Sequence, residues 1–251
     1  MEVHAHTHTP RKKWTHYFWE FLMLFLAVFC GFMAENQREH MIEHQREKKY
    51  AASLLEDLKK DTADFNFDIP AWKRIMSSID TVRQEIEKSP GKRNIVLLYK
   101  HAAHTRNFES FEYHDRTIEQ LKNAGNFRLI RKTALADSLI DYDVIIKSVL
   151  KNLEASITNI YETVNFSQDK LFNSKFYFLR TRTNAERLDS AFKASPEFFT
   201  IPPGKEADLF EYYNHLEFYA RMNKNRQYCT DILLRKANNL INLIKAAYHL
   251  D

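Results

Sequence analysis

Apolar and polar positions alternate along this chain in three different ways. From Tyr17 to Ala34 the sequence YFWEFLMLFLAVFCGFMA carries a single charge, Glu20, near its start. Extended back to Trp14, a helix here covers about 31 Å at roughly 1.5 Å per residue, which matches a hydrocarbon core. From Glu35 to Asp64 there is neither Gly nor Pro. Met41, Ile42, Ala51, Leu54, Leu55 and Leu58 recur there at helical spacing among charged residues. One helix is therefore expected to run from the apolar segment into this charged one, with Glu39, Glu43, Arg46 and Glu47 on a solvated stalk surface.

Beyond Phe67 the pattern predicts shorter helices. Ile69-Pro70 is expected to open one that ends before Ser89-Pro90-Gly91, and another covers about Ile95 to Arg106. Tyr113 to Ala124 forms a third, stopped by Gly125, which takes positive φ without strain. Leu135, Leu139, Tyr142, Ile146, Val149, Leu153, Ile157, Ile160 and Val164 step by three or four along one apolar stripe. After Pro202-Pro203-Gly204 no breaker occurs from Lys205 to Leu250, so a long final helix is expected. No alternating strand pattern bounded by turns is present. The expected fold is all-α: a single transmembrane helix, a helical stalk and an antiparallel helical bundle. The expected divisions are a polar tail over 1–13, the span over 14–34, the stalk over 35–66 and a soluble domain over 67–251.

Composition supports this picture. Only 4 Gly and 6 Pro occur in 251 residues, few turn-formers for the length. The net charge of +4 arises from 37 basic and 33 acidic residues that are well mixed, which argues against a nucleic-acid face. Cys30, in the span, and Cys229, in a helical pattern, do not form a disulfide framework. Phe32 and Met33 fall where a signal peptidase needs small residues, and Phe29 precedes Cys30 where a lipoprotein signal needs one. An uncleaved anchor is expected. Arg11, Lys12 and Lys13 abut the span unpaired, whereas Arg38, Arg46, Lys48 and Lys49 alternate with glutamates. The N-terminus is accordingly expected in the cytoplasm and the soluble domain in the periplasm, with the span in the inner membrane.

The block KWTHYFWEFLMLFLAVFCGFMAENQREHMIEHQREKKY, with QLKNAGNFRLI further on, resembles an uncharacterised family of bacterial single-span membrane proteins. The resemblance covers about half the chain. It implies an N-terminal anchor and a helical soluble domain, and carries no activity, substrate or catalytic residue with it.

Five constellations are candidates for chemistry or recognition. With Phe25 set at zero and ~100° per residue, Phe18, Phe21, Phe29 and Phe32 fall within about 40° of it. Ala27, Gly31 and Ala34 fall opposite, together with His16 and Glu20. Small residues let helix backbones approach, and an intramembrane carboxylate favours a bundle interior, so Glu20, Ala27, Gly31 and Ala34 mark a helix-packing face. His40-Met41-Ile42-Glu43-His44 matches H-x-x-E-H, in which His40 and His44 would ligate zinc and Glu43 would activate water. Glu109 and Glu112 have no distinguishing spacing as a further ligand, and a charged stalk explains the same residues. His101 and His104, with His114, form a loose cluster, and His4, His6 and His8 alternate in the tail. Phe210, Tyr212, Tyr213, Phe218 and Tyr219 read as bundle core and rim.

No cofactor motif is present. The favoured expectation is a membrane-anchored, non-enzymatic interaction protein that self-associates or joins a larger membrane complex, with the lipid bilayer as its first partner. A zinc-dependent hydrolase at 40–44 and an envelope sensor or transporter accessory holding a small ligand between its helices are the alternatives.

Overall fold

A computed structural model describes residues 13–173, 190, 193–194 and 196–250. The expected tail, with His4, His6 and His8, lies outside these residues apart from Lys13. The described residues are helical and turn-forming, with no strand among them. The helices are α1 (Trp14–Glu87), α2 (Ile95–Thr105), α3 (Arg116–Asn123), α4 (Thr133–Val144), α5 (Lys151–Leu171) and α6 (Glu206–Tyr248). The fold is an all-α bundle. The chain divides after Tyr50 into two compact units, and α1 contributes to both.

In the first unit α1 is exposed almost throughout. None of its most apolar eighteen-residue window is buried, and the window is long and apolar enough to cross a membrane. In the second unit the same helix supplies core residues from Ala51 onward: Leu54, Leu55, Leu58, Phe65, Trp72, Ile75, Ile79 and Val82 are all buried. Residues 51–66, expected as stalk, thus already belong to the domain.

Pro70 sits inside α1 and does not open a new helix. Proline has no N–H for the carbonyl four residues back and its ring crowds that turn, so packing on either side must hold the helix together. Phe65 stacks on Phe111 at 4.0 Å, and Trp72 is buried a few residues further on. The α1 C-terminus is closed by Arg93, which donates from Nε to the Lys88 carbonyl and from Nη2 to the Ile86 carbonyl, both at 3.0 Å. These are among the carbonyls a helix end leaves without an intrahelical donor. Asn94 then caps α2 by accepting from the Leu97 N–H at 3.0 Å.

The helix α6 runs antiparallel to both α1 and α5. Trp72, Arg83 and Glu87 on α1 meet Arg226, Glu217 and Tyr213 in reverse order. Ser167, Gln168 and Lys170 on α5 meet His215, Tyr212 and Glu211. Between α4 and α5 the chain makes one π-helical stretch, Ile145–Leu150. This shifts the expected stripe by one residue. Ile146 and Leu150 are fully buried, while Val149, expected inside, is exposed, and Leu153 is half-buried. The next inward position becomes Glu154, which is buried. A π turn is the insertion of one residue into an α-helix, so the inward set keeps facing the core while its sequence spacing lengthens locally.

Tyr99 on α2 joins the end of α5 to the approach to α6. Its hydroxyl donates to the Thr200 carbonyl and accepts from the Asn173 N–H, each at 3.2 Å. Its ring meets Phe172 and Phe199 edge-on at about 5 Å. Gly125 takes φ +62°, as expected after α3. That helix begins at Arg116 and not at Tyr113, because residues 113–115 belong to the irregular segment that joins α2 to α3.

Replacing Pro70 with Ala restores a donor to the Asn66 carbonyl at an exposed position. Thermal or urea unfolding of Pro70→Ala is expected to show a gain of about 1–3 kcal/mol. No gain would mean that the chain around Pro70 has already relaxed to satisfy that carbonyl.

Candidate functional site

Residues 107–115 form a strap between α2 and α3 that crosses α1, α5 and α6. A buried irregular backbone needs partners for its N–H and C=O groups. Here those partners are side chains, most of them charged. Glu154 accepts from the Phe111 N–H at 2.8 Å, and Lys151 donates to the Phe111 carbonyl at 2.7 Å. The Glu109 carbonyl receives both Trp72 Nε1 at 3.2 Å and Arg226 Nη1 at 2.9 Å. Asp61 accepts from the His114 N–H at 2.9 Å, and its second oxygen accepts from the Tyr142 hydroxyl at 2.9 Å.

Where the strap enters α3, Asp115 makes no capping bond of its own. Asp57 performs that role from α1, accepting from the Thr117 N–H at 3.1 Å and the Thr117 hydroxyl at 2.5 Å. A carboxylate at a helix N-terminus satisfies an orphan donor and meets the positive end of the dipole. The acids Asp57, Asp61, Asp64 and Asp68 are spaced four, three and four apart, and so form a ladder along one face of α1.

Burial governs the electrostatics of this ladder. It raises the Asp61 carboxyl, opposed by the hydrogen bonds from His114 and Tyr142. Asp68 is pushed up to about 6, first by burial and then by Glu109 and Asp64, with Arg226 pulling the other way. Arg226 is itself buried beneath the strap, 4.2 Å over the Trp72 ring, and burial brings it down to about 10. Its Nη2 donates to Asn223 at 2.6 Å, and its Nε has no partner among the described residues. Beside the strap, Lys147 faces Asp115 at 3.2 Å and Asp143 at 3.3 Å and also bonds Glu119. Burial works against its charge, but these carboxylates outweigh that and raise it. Asp143 is held low because Lys122 and Tyr113 overcome its burial.

The residues expected from sequence are distributed elsewhere. Along the apolar stretch of α1, Phe21, Phe25 and Phe29 stack successively at 6.3 and 6.0 Å, all exposed. On the other side His16 Nε2 stands 3.2 Å from Glu20 Oε1, on the face that carries Ala27, Gly31 and Ala34. A Cβ added at Gly31 would meet nothing within 4 Å.

His40 and His44 are exposed on α1 and Glu43 is half-buried. His44 pairs with Glu47 at 3.5 Å, outside the H-x-x-E-H pattern. Among the described residues no group of three or more His, Cys, Asp or Glu is arranged to hold a metal ion. The histidine cluster separates. His101 meets Ser78 at 3.2 Å and the edge of His104, and burial depresses it, whereas His114 belongs to the Asp61 site. Tyr212 and Tyr219 are core, and Phe210 and Phe218 are exposed.

Sequence reasoning missed the acid ladder and Arg226. The signal was present in the spacing 57-61-64-68, which coincides with the face of α1 bearing Leu54, Leu58, Phe65 and Trp72. Comparison of the chain with protein families, with curated proteins and with solved structures finds no match.

Because the folded Asp68 carboxyl titrates near 6 against an ordinary 3.8, its burial penalty is complete above pH 6. The penalty fades as the native state takes up the proton and is gone below the ordinary value. Asp68→Asn is expected to stabilise the domain by about 1–3 kcal/mol at pH 7.5, and by progressively less towards pH 4. Denaturant unfolding at several pH values checks this; an equal effect at all pH values would contradict it.

Proposed function

We propose that this chain is a single-pass membrane protein of the bacterial inner membrane that acts by association and not by catalysis. Its anchor helix packs against a second copy or another membrane protein while its helical domain is presented outside the cytoplasm. The reading groups it with the uncharacterised single-span family that its anchor block resembles. One observation carries it: the exposed apolar stretch of α1 has two unlike sides in a helix that also supplies the domain core. Phenylalanines line one side. The other holds the small residues Ala27, Gly31 and Ala34 and the His16–Glu20 pair. Lipid accommodates the first side at any position, whereas close backbone approach and a polar pair favour a protein neighbour on the second.

Gly31→Ile is a selective test, because among the described residues a Cβ added at Gly31 meets no atom within 4 Å. The detergent-solubilised protein is expected to run as an oligomer or a complex by mass photometry. Gly31→Ile is expected to shift it to smaller species without changing the melting of the domain. A monomer in mild detergent that captures no membrane protein, with Gly31→Ile silent, sinks the reading.

Orientation follows from Arg11, Lys12 and Lys13 on one side of the span and from the glutamate-interleaved bases on the other. Protease added to spheroplasts is expected to trim the domain. Protection until lysis would place the domain in the cytoplasm.

A second reading, a sensor or transporter accessory that holds a small ligand, is favoured by a pocket beside the strap that Arg74, His104, Asn107 and Glu109 line.

A further inference from the structure

A pocket of about 140 Å³ opens between α1, the end of α2 and the strap. Ala71 and Ile75 of α1 form its apolar floor, and Arg74, His104, Asn107 and Glu109 supply its polar wall. At ~30 Å³ per water, this volume holds four or five waters, or a molecule of roughly six to eight heavy atoms.

Two features separate it from an ordinary surface dent. First, opposite charges are brought to one small pocket without neutralising each other. Arg74 and Glu109 share the pocket wall with no salt bridge between them among the described residues, and Glu109 acts at longer range on the buried Arg226 and Asp68. Three other cations beside the strap are committed within it: Arg226 and Lys151 to strap carbonyls, Lys147 to carboxylates. Second, the wall is preorganised. The Glu109 carbonyl is pinned by Trp72 and Arg226. The Asn107 N–H donates to the His104 carbonyl at 3.1 Å, and Tyr161 donates to the Arg106 carbonyl at 2.9 Å. A site whose backbone is already held loses little entropy on binding.

We infer that this pocket binds a small zwitterion, an α-amino acid with a side chain no larger than that of serine. Arg74 takes its carboxylate, Glu109 its ammonium, Asn107 adds a neutral hydrogen bond, and the Ala71–Ile75 floor accommodates the Cβ. Charge-assisted bonds to both termini set the chemistry, and the volume sets the size. This extends the ligand-binding reading and is independent of anchor association, since every residue involved belongs to the unit that begins at Ala51.

The test is isothermal titration of the detergent-solubilised full chain with glycine, L-alanine and L-serine. At least one is expected to bind saturably. Arg74→Ala and Glu109→Gln, both at exposed side chains, are each expected to weaken that binding about tenfold or more while the melting temperature confirms the fold. Propionate and ethylamine, each with one of the two charges, are expected to bind at least about tenfold more weakly than L-alanine. The proposal is overturned if none of the three amino acids binds up to about 10 mM. It is also overturned if binding survives either substitution, or if propionate or ethylamine binds as well as L-alanine. The oligomeric state, measured separately, decides the anchor reading whatever the titration shows.

Discussion

The hydrogen-bonding requirement of the strap governs the organisation of the domain. Nine residues of irregular backbone cross three long helices, and apart from the helix ends at Asn107 and Asp115 no helix or sheet ladder satisfies their polar groups. Unpaired buried N–H and C=O groups cost about 1–3 kcal/mol each, so the helices beneath must supply partners. They do so with Asp61 and Trp72 from α1, Glu154 and Lys151 from α5, and Arg226 from α6. Asp57 extends the same service into the first turn of α3. Several features that look separate are consequences of this one need: the acid ladder, the buried arginine, and the register of α5. The π turn is the clearest case, because it turns Glu154 inward to reach Phe111.

Charges used in this way locate the strap more than they stabilise the protein. A buried ion loses its hydration, and its new partners recover that loss only when they are numerous and well aligned. Asp61, with three hydrogen bonds, is well served. Asp68 sits among other carboxylates with Arg226 as its main opposing charge, and its elevated titration records the cost. Arg226 compensates partly by lying on the Trp72 ring and by sharing Asn223. An apolar set would pack here as tightly, but it would not distinguish one backbone register of the strap from the next.

The helix α1 has two unlike halves. Up to the polar stretch its side chains are apolar and exposed, which suits lipid and not water. From Ala51 onward the same helix is amphipathic in the ordinary way, with one face in a protein core. No glycine or proline interrupts the backbone between Glu35 and Ile69, so local propensity favours a helix throughout. Where Pro70 does occur, the aromatic packing of Phe65 and Trp72 outweighs it.

By itself the sequence determined the helix class, the apolar span, the positions of α2 and α6, and the stop at Gly125. These depend on local spacing and on residues with fixed backbone preferences, which act over one or two turns. It also marked the two unlike sides of the apolar stretch, a property of one isolated helix. Only the tertiary structure decided that Pro70 stays within α1, that Tyr113 to Asp115 belong to a strap and not to α3, and that Leu150 replaces Val149 inside. Each of these turns on contacts between residues far apart in the chain: Phe65 with Phe111, Asp61 with His114 and Tyr142, Glu154 with Phe111. Asp57, Asp61 and Arg226 read as surface charges in one dimension. They become buried anchors only when a second element brings backbone groups that need them.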